Sequence, residues 1–117
     1  MLKRTPPPNA LSPSEVRFLD LHTEPWPDGK RIKVFIHLTP FQEFPNLEVT
    51  IFNSQAEEVA HTSIIENAEE KLVFTMHIRD RNAGETLEAP QYLLQASLGY
   101  PDLPDVDRAE TRFTLIG

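Results

Sequence analysis

The sequence predicts an all-β domain, an antiparallel two-sheet Greek-key sandwich of about seven strands. Runs of roughly 6–9 residues alternate apolar and polar side chains, which is the period of a strand buried on one face. Breaks rich in proline, glycine, asparagine and acidic residues separate the runs. No window of helical length shows an apolar period of about 3.6 residues, so we expect no helix longer than about two turns.

The expected domain organisation follows from length and proline content. A chain of 117 residues is expected to form one domain. Residues 1–13 include three consecutive prolines and are predicted to be a disordered tail, whereas residues 14–117 are predicted to form the sandwich. The chain has no cysteine, so packing alone must hold the two sheets together.

The first two strands are separated by a turn-rich segment. Val16 and Phe18 alternate with polar neighbours and predict a strand over residues 15–22. Two prolines and an Asp-Gly pair then mark a loop over residues 23–29. The second strand, residues 31–39, has the clearest alternation. Its inward side chains are Ile32, Val34, Ile36 and Leu38.

The third and fourth strands form a predicted hairpin. Pro40 and Pro45 bracket the loop that leads to the third strand, residues 46–53. A connection of hairpin length follows, and the fourth strand is predicted over residues 58–64, where the alternation is weakest. The inward side chains of the third strand are Leu47, Val49 and Ile51.

The last three strands show the same alternation. They are predicted over residues 70–78, 91–99 and 108–116, with a long loop after the first and a proline-containing loop after the second. The side chains expected to be enclosed between the two sheets are Val34, Ile36, Val49, Ile51, Phe74, Met76, Leu94, Ala96 and Phe113.

Two segments resemble a known class of β-sandwich. Residues 45–59 resemble strands C and D of bacterial immunoglobulin-like and fibronectin-III-like modules, and residues 91–98 resemble their strand F. The resemblance places Tyr92 at the tyrosine corner, which implies that its hydroxyl bonds backbone in the preceding loop. The sequence departs from the pattern at Pro90-Gln91, where the families have glycine, and in Trp26, which lies in the first loop instead of strand C. The implied immunoglobulin-like fold serves adhesion, docking, structural and carrier roles.

The formal charge of −7 is unevenly distributed. Residues 1–40 carry a net charge of +2, and residues 41–117 carry a net charge of −9. Most of this surface would repel a phosphate backbone, so we expect no nucleic-acid partner. No run approaches the roughly 20 apolar residues of a membrane helix, and no apolar stretch of signal-peptide length opens the sequence. We therefore expect a cytoplasmic protein with no membrane partner.

No constellation in the sequence predicts catalysis, a cofactor or a metal site. The four histidines have no metal-ligand spacing on any one predicted strand. In the predicted pairing of the second and fifth strands, His37 and His77 share the outer face but lie roughly 13 Å apart. Nucleophile elbows and glycine-rich phosphate loops are absent from the sequence. The acidic segment 102–107 lacks EF-hand spacing, and we interpret it as a solvated hairpin tip.

The favoured interpretation is a non-catalytic module that binds a protein partner or a second copy of itself. It rests on apolar side chains at outward positions, which mark contact surfaces when they are contiguous. Antiparallel pairing of the third and sixth strands is expected to place Phe52 beside Leu93, with Trp26 extending the pair. A slipped register or a covering tail that buries these side chains is the open alternative. The predicted partner-binding residues are Trp26, Phe52, Leu93, Phe35 and Val73.

The alternative interpretation is a small-ligand or ion-binding accessory module. It would use two loops at one pole, between the second and third strands and between the sixth and seventh. An apolar cavity between these loops would favour a ligand, and aromatic side chains that close the end of the core would argue against one. The residues predicted for this pole are Phe41, Phe44, Tyr100, Asp102 and Asp105.

Overall fold

The computed structural model describes residues 7–80 and 90–115, and in these ranges the chain is all β apart from one short 3₁₀ helix, Pro13–Glu15. The predicted fold class is confirmed. The strands are β1 (Phe18–Pro25), β2 (Arg31–Leu38), β3 (Asn46–Phe52), β4 (Glu58–Ile64), β5 (Lys71–His77), β6 (Gln91–Tyr100) and β7 (Leu103–Thr114).

The strands form two antiparallel sheets whose inner faces enclose the core. One sheet has three strands in the order β1-β2-β5, and the other has four strands in the order β4-β3-β6-β7. Hairpins join β1 to β2, β3 to β4 and β6 to β7, and the chain changes sheet after β2, β4 and β5. The constant-type immunoglobulin arrangement places its fourth strand beside the fifth, whereas here β4 pairs with β3.

The core consists of apolar side chains from both sheets. Seven of the nine predicted core residues are buried, while Phe74 and Phe113 are only partly buried and pack against the core. Both lie on edge strands, β5 and β7, where the facing sheet covers less of the side chain. The core side chains that are fully excluded from solvent include Tyr92, Phe41, Ile32, Leu38, Leu47, Ile51, Leu94 and Leu98.

The pairing of β2 with β5 differs from the predicted register by two residues. Ile32 lies opposite Met76, whereas pairing of the two strands over their full predicted lengths would place it near residue 78. A shift of two residues keeps every side chain on its predicted face, because strand side chains alternate with a period of two. His37 pairs with Lys71 and His77 lies at the other end of the ladder, which separates the two histidines by roughly 20 Å.

The bounds of β1 and β7 also differ from prediction. β1 begins at Phe18 and not at residue 15, because the preceding residues form the 3₁₀ helix. β7 begins at Leu103 and not at residue 108. Tyr100 pairs with Leu103 across a tight turn, so a continuous hairpin replaces the loop predicted between the sixth and seventh strands.

The segment before β1 packs onto the domain. Leu11 forms a parallel bridge with Phe41, its amide donates to the Pro40 carbonyl at 3.1 Å, and its side chain packs against the core. Leu11 therefore packs on the domain, although the sequence predicted a disordered tail over residues 1–13. Residues 1–6 lie outside the described residues.

Tyr92 anchors the pole at which β3 ends and β6 begins. Its side chain is 1% exposed, and its hydroxyl donates to Asp80 Oδ2 at 3.0 Å. The other carboxylate oxygen of Asp80 accepts from Asn53 Nδ2 at 3.1 Å. The tyrosine-corner resemblance implied a backbone acceptor, and the structure has a carboxylate in its place. Most of the preceding loop, residues 81–89, lies outside the described residues.

Candidate functional site

The candidate site is the outer face of the four-stranded sheet, where the register aligns side chains in three rows. Alternate residues of a strand point to the same side, so cross-strand partners define each row. None of the twelve side chains is buried. In the order β4, β3, β6, β7, the rows are Ser63, Glu48, Ser97 and Arg108; His61, Thr50, Gln95 and Glu110; and Glu58, Phe52, Leu93 and Arg112.

A groove of about 460 Å³ follows the first two rows of the outer face. Gln95 Nε2 donates to Glu110 Oε2 at 3.2 Å across its floor. Arg108 donates to both carboxylate oxygens of Asp105, at 3.0 Å each, and this pair raises the pKa of the guanidinium above its usual value. The groove therefore presents hydrogen-bonding groups that are already oriented by one another.

A serine, a histidine and a glutamate meet at the β4 edge of the outer face. His61 Nε2 lies 2.9 Å from Glu48 Oε2, and the Ser63 hydroxyl donates to the same oxygen at 2.6 Å. The Ser63 hydroxyl also lies 3.3 Å from His61 Nε2. The other ring nitrogen, Nδ1, lies 2.9 Å from the Thr50 hydroxyl oxygen. We call these four residues the polar cluster.

The polar cluster does not have the geometry of a nucleophile–base–acid triad. In a triad, one imidazole nitrogen takes the hydroxyl proton while the acid holds the other nitrogen. Here Glu48 meets the hydroxyl and Nε2 at one oxygen, and Nδ1 faces Thr50. The serine proton is therefore directed at the carboxylate, and the cluster is a surface hydrogen-bond network. Sequence analysis missed it; the available signal was His-x-Ser on one strand and Glu on its hairpin partner.

Phe52 and Leu93 lie opposite each other in the third row, as predicted. Both are partly exposed, and they line a second groove of about 510 Å³ together with Arg112. Gln95 lines this groove and the polar one, so the two adjoin on the same face. We call Phe52 and Leu93 the apolar pair.

The other predicted partner-binding residues lie on the opposite side of the molecule, on the outer face of the three-stranded sheet. The Trp26 ring packs under the Arg31 guanidinium, 4.2 Å from the ring centroid. The His22 ring stacks on Phe35 at 4.5 Å. Val73 lies opposite Phe35 and is 59% exposed. The prediction that Trp26 extends the apolar pair is wrong, because this loop folds over its own sheet.

The loops predicted as an alternative ligand pole close the end of the core. Phe41 is fully buried and meets the Phe44 ring edge-to-face, with centroids 6.2 Å apart. Tyr100 is 7% exposed, and its hydroxyl donates to the Glu43 carbonyl at 3.1 Å. Burial and the Glu43 carboxylate raise the pKa of Tyr100 to about 12. The remaining residues predicted for this pole, Asp102 and Asp105, are exposed.

Within residues 7–80 and 90–115, no group of three His, Cys, Asp or Glu side chains is arranged to hold a metal ion. The same ranges contain no helix that is long and apolar enough to cross a membrane.

Comparison with known proteins places the fold. No protein-family model matches the sequence, and no curated protein matches it. A glycosyl hydrolase family 2 member from Bacteroides cellulosilyticus superposes with a TM-score of 0.60 at 14% identity, over 86% of this chain and 15% of that chain. The fold is an immunoglobulin-like β-sandwich.

Two β-glucuronidases give similar superpositions. The enzyme from Ruminococcus gnavus matches with a TM-score of 0.57 at 15% identity, and the enzyme from Lactobacillus rhamnosus with 0.57 at 17%. Each match covers 86% of this chain and 16% of the enzyme. At this identity the likeness is one of fold alone, and this immunoglobulin-like chain spans only a small part of each enzyme's length.

Proposed function

We propose that this immunoglobulin-like chain is a non-catalytic accessory module that binds another protein through the outer face of its four-stranded sheet. The observation that carries the proposal is the apolar pair, Phe52 and Leu93, which lie side by side on a sheet face above which a groove of about 510 Å³ is open. Specific protein interfaces have an apolar centre and a polar rim. The third row of the outer face has this composition, with Phe52 and Leu93 at its middle and Glu58 and Arg112 at its two ends.

The opposite sheet face supports a partner less well. Its two large aromatic side chains already have intramolecular partners, because Arg31 covers Trp26 and His22 stacks on Phe35. Among the described apolar residues of this sheet, Val73 on β5 and Leu19 on β1 remain widely exposed. These strands are the two opposite edges of the sheet, and exposed apolar residues that are not contiguous are ordinary on protein surfaces. The apolar pair is contiguous and lines a groove, which is the more informative feature.

A non-catalytic role is supported by the solvation of the polar groups on the outer face. Glu48 and His61 have side chains that are 48% and 43% exposed. Active sites exclude water from the reacting groups, and the polar cluster also lacks the geometry of a nucleophile–base–acid triad. An accessory role is supported by the solved neighbours, in which the matching region is a small part of a larger enzyme.

The proposal is tested with the variant Phe52→Glu, which places a charge in the middle of the third row. We expect it to lose binding to the partner, measured by pull-down and sedimentation, while the circular dichroism spectrum stays unchanged. Leu93→Lys tests the same surface from the neighbouring strand. Ile65→Glu is the matched control, because Ile65 is 65% exposed and does not line either groove of this face. If Phe52→Glu and Leu93→Lys both bind the partner at wild-type levels, the proposal is contradicted.

A second candidate, binding of an acidic sugar, is favoured by the polar groove. Its lining includes Arg108, which can bind a carboxylate, and Gln95 and Glu110, which can bind sugar hydroxyl groups. The neighbours that act on carbohydrate lend it a weaker, fold-level support. A titration with glucuronic acid, followed by amide chemical shifts, tests it. Changes in amide chemical shift that are confined to the groove residues and absent with neutral glucose would support this candidate. No change at millimolar glucuronic acid would exclude it.

A further inference from the structure

We propose that the protein bound by the outer face is a second copy of this chain, related to the first by a two-fold axis that runs along the strands between β3 and β6. The inference rests on the proposed function and specifies its partner. This axis is parallel to the strands and lies in the plane between the two facing sheets. The second copy therefore presents its strands in reverse order, while each residue keeps its position along the strand direction. Each residue of a row then faces the residue at the mirrored place of the same row in the other copy.

The third row is self-complementary under this operation. Phe52 of one copy faces Leu93 of the other, which brings the two apolar pairs together at the centre. Glu58 on β4 faces Arg112 on β7 at both ends of the row. Both charged side chains are exposed, and neither has an ion-pair partner within the described part of its own chain. Charges of opposite sign therefore meet twice in the dimer.

The second row is also complementary, and the first contains no clash of charge. His61 faces Glu110, and Thr50 faces Gln95, so each contact can bring a donor to an acceptor. In the first row Ser63 faces Arg108 and Glu48 faces Ser97. No row places two carboxylates or two guanidinium groups directly opposite each other, and like charges in that position would oppose association.

Sheet twist is compatible with this arrangement. Packed sheets cross at about 30°, which a two-fold axis tilted by about 15° from the strands produces. Glu58 lies one and a half strand spacings from the axis, about 7 Å, so the crossing displaces it by roughly 4 Å from its mirrored partner. Glutamate and arginine side chains are long enough to span this displacement. The apolar pair lies nearest the axis and is displaced least.

The size of the face sets the expected affinity. Four strands at about 4.8 Å and six residues at about 3.3 Å give a footprint of roughly 400 Å² per copy. Specific, stable interfaces bury about 1,200–2,000 Å² in total, so this interface is at the weak end. We expect dissociation constants of roughly tens to hundreds of micromolar.

The test is a charge swap measured by sedimentation velocity between about 10 μM and 1 mM protein. Glu58→Arg and Arg112→Glu should each shift the chain to monomer, because each places like charges opposite each other at both ends of the third row. The double variant Glu58→Arg/Arg112→Glu should recover the dimer to within a few-fold of wild type. Lys71→Glu, an exposed charge reversal on the three-stranded sheet, is the matched control and should dimerise like wild type.

Three results would overturn the inference. These are a wild-type chain that stays monomeric at 1 mM, a dimer that neither single reversal weakens, and a double variant that fails to recover association. Circular dichroism of each variant shows whether it is folded, and because both positions are exposed the substitutions do not enter the core. If the wild type is monomeric but a different protein is lost on Phe52→Glu, the second copy is excluded and the proposed function stands. If neither self-association nor the binding of a different protein depends on Phe52, the dimer inference and the proposed function both fail.

Discussion

The backbone amide of Phe18 donates a hydrogen bond of 2.9 Å to the Asp107 carboxylate, and this bond joins the two sheets. Phe18 begins β1 in the three-stranded sheet, and Asp107 lies in β7 at the edge of the four-stranded sheet. Both residues are partly buried. The chain has no disulfides, so the two sheets are held mainly by apolar packing, which is not directional. The hydrogen bond between the sheets is directional.

Removing the Asp107 carboxylate should destabilise the domain. A hydrogen bond to a charged group contributes about 1.5–3 kcal/mol, so Asp107→Ala is expected to lower the free energy of unfolding by an amount in that range. Urea denaturation measures the change. Asp105→Ala is the control, because Asp105 pairs with Arg108 on the exposed hairpin and should leave the midpoint nearly unchanged. If the two substitutions lower the free energy of unfolding equally, the hydrogen bond between the sheets makes no specific contribution to stability.

Gly99 is required by the β6–β7 hairpin. A Cβ atom at this position would overlap the carbonyl of Pro104 on the neighbouring strand, and a backbone group cannot rotate away as a side chain can. Gly99→Ala should therefore cost about 1–3 kcal/mol, the usual range for overpacking. Ser97→Ala, on the outer face of the same strand, is the comparison and should cost much less. A thermal midpoint for Gly99→Ala within a degree of wild type would show that the hairpin adjusts freely.

The sequence predicted the faces of the strands better than the loops between them. Phe52 was expected beside Leu93 because alternation fixes the outward side and neighbouring strands fix the partner. Trp26 was misplaced because the conformation of its loop depends on Asp28, whose carboxylate accepts the Lys30 and Arg31 amides and turns the chain back. No periodic pattern reports such a local bond.

Two further differences have similar physical causes. Pro104 was interpreted as part of a loop, yet it lies inside β7, where an edge strand can leave the missing amide hydrogen on the solvent side. The polar cluster was missed because the pairing of β3 with β4 contains an irregularity between Ile51 and Phe52. Alternation alone cannot locate that irregularity, and so cannot show that Ser63 faces Glu48.

Tyr92, Asp80 and Asn53 form a coupled network at one pole of the sandwich. The Tyr92 hydroxyl and the Asn53 amide each donate to one oxygen of Asp80. Tyr92→Phe should cost about 1.5–3 kcal/mol, more than a bond to a neutral backbone acceptor, because the acceptor is charged. A double-mutant cycle with Asp80→Ala, measured by urea denaturation, should give non-additive changes. Additive changes would show that the hydroxyl and the carboxylate stabilise the fold independently.

Alkaline titration should reveal the burial of both tyrosines. Burial is the main cause that raises the pKa of Tyr100 from its ordinary value of 10.0 to about 12, and the nearby Glu43 carboxylate adds to the effect. For Tyr92, burial together with the hydrogen bond and charge of Asp80 raises the pKa still further. We expect neither phenol to ionise near pH 10 while the domain is folded, which absorbance at about 295 nm measures against the chain in denaturant.

The same shifts determine how stability depends on pH. A phenol whose pKa is higher in the folded state binds its proton more tightly there, so its contribution to stability is complete below pH 10. For Tyr100 that contribution is lost as the pH rises from 10 towards 12. Tyr100→Phe removes this titration, and its free energy of unfolding should fall less steeply than that of wild type across this window. The remaining slope should come from Tyr92, the second of the two tyrosines, whose pKa is also raised in the folded domain. Identical slopes for Tyr100→Phe and wild type would show that Tyr100 is as free to ionise in the folded domain as in the unfolded chain.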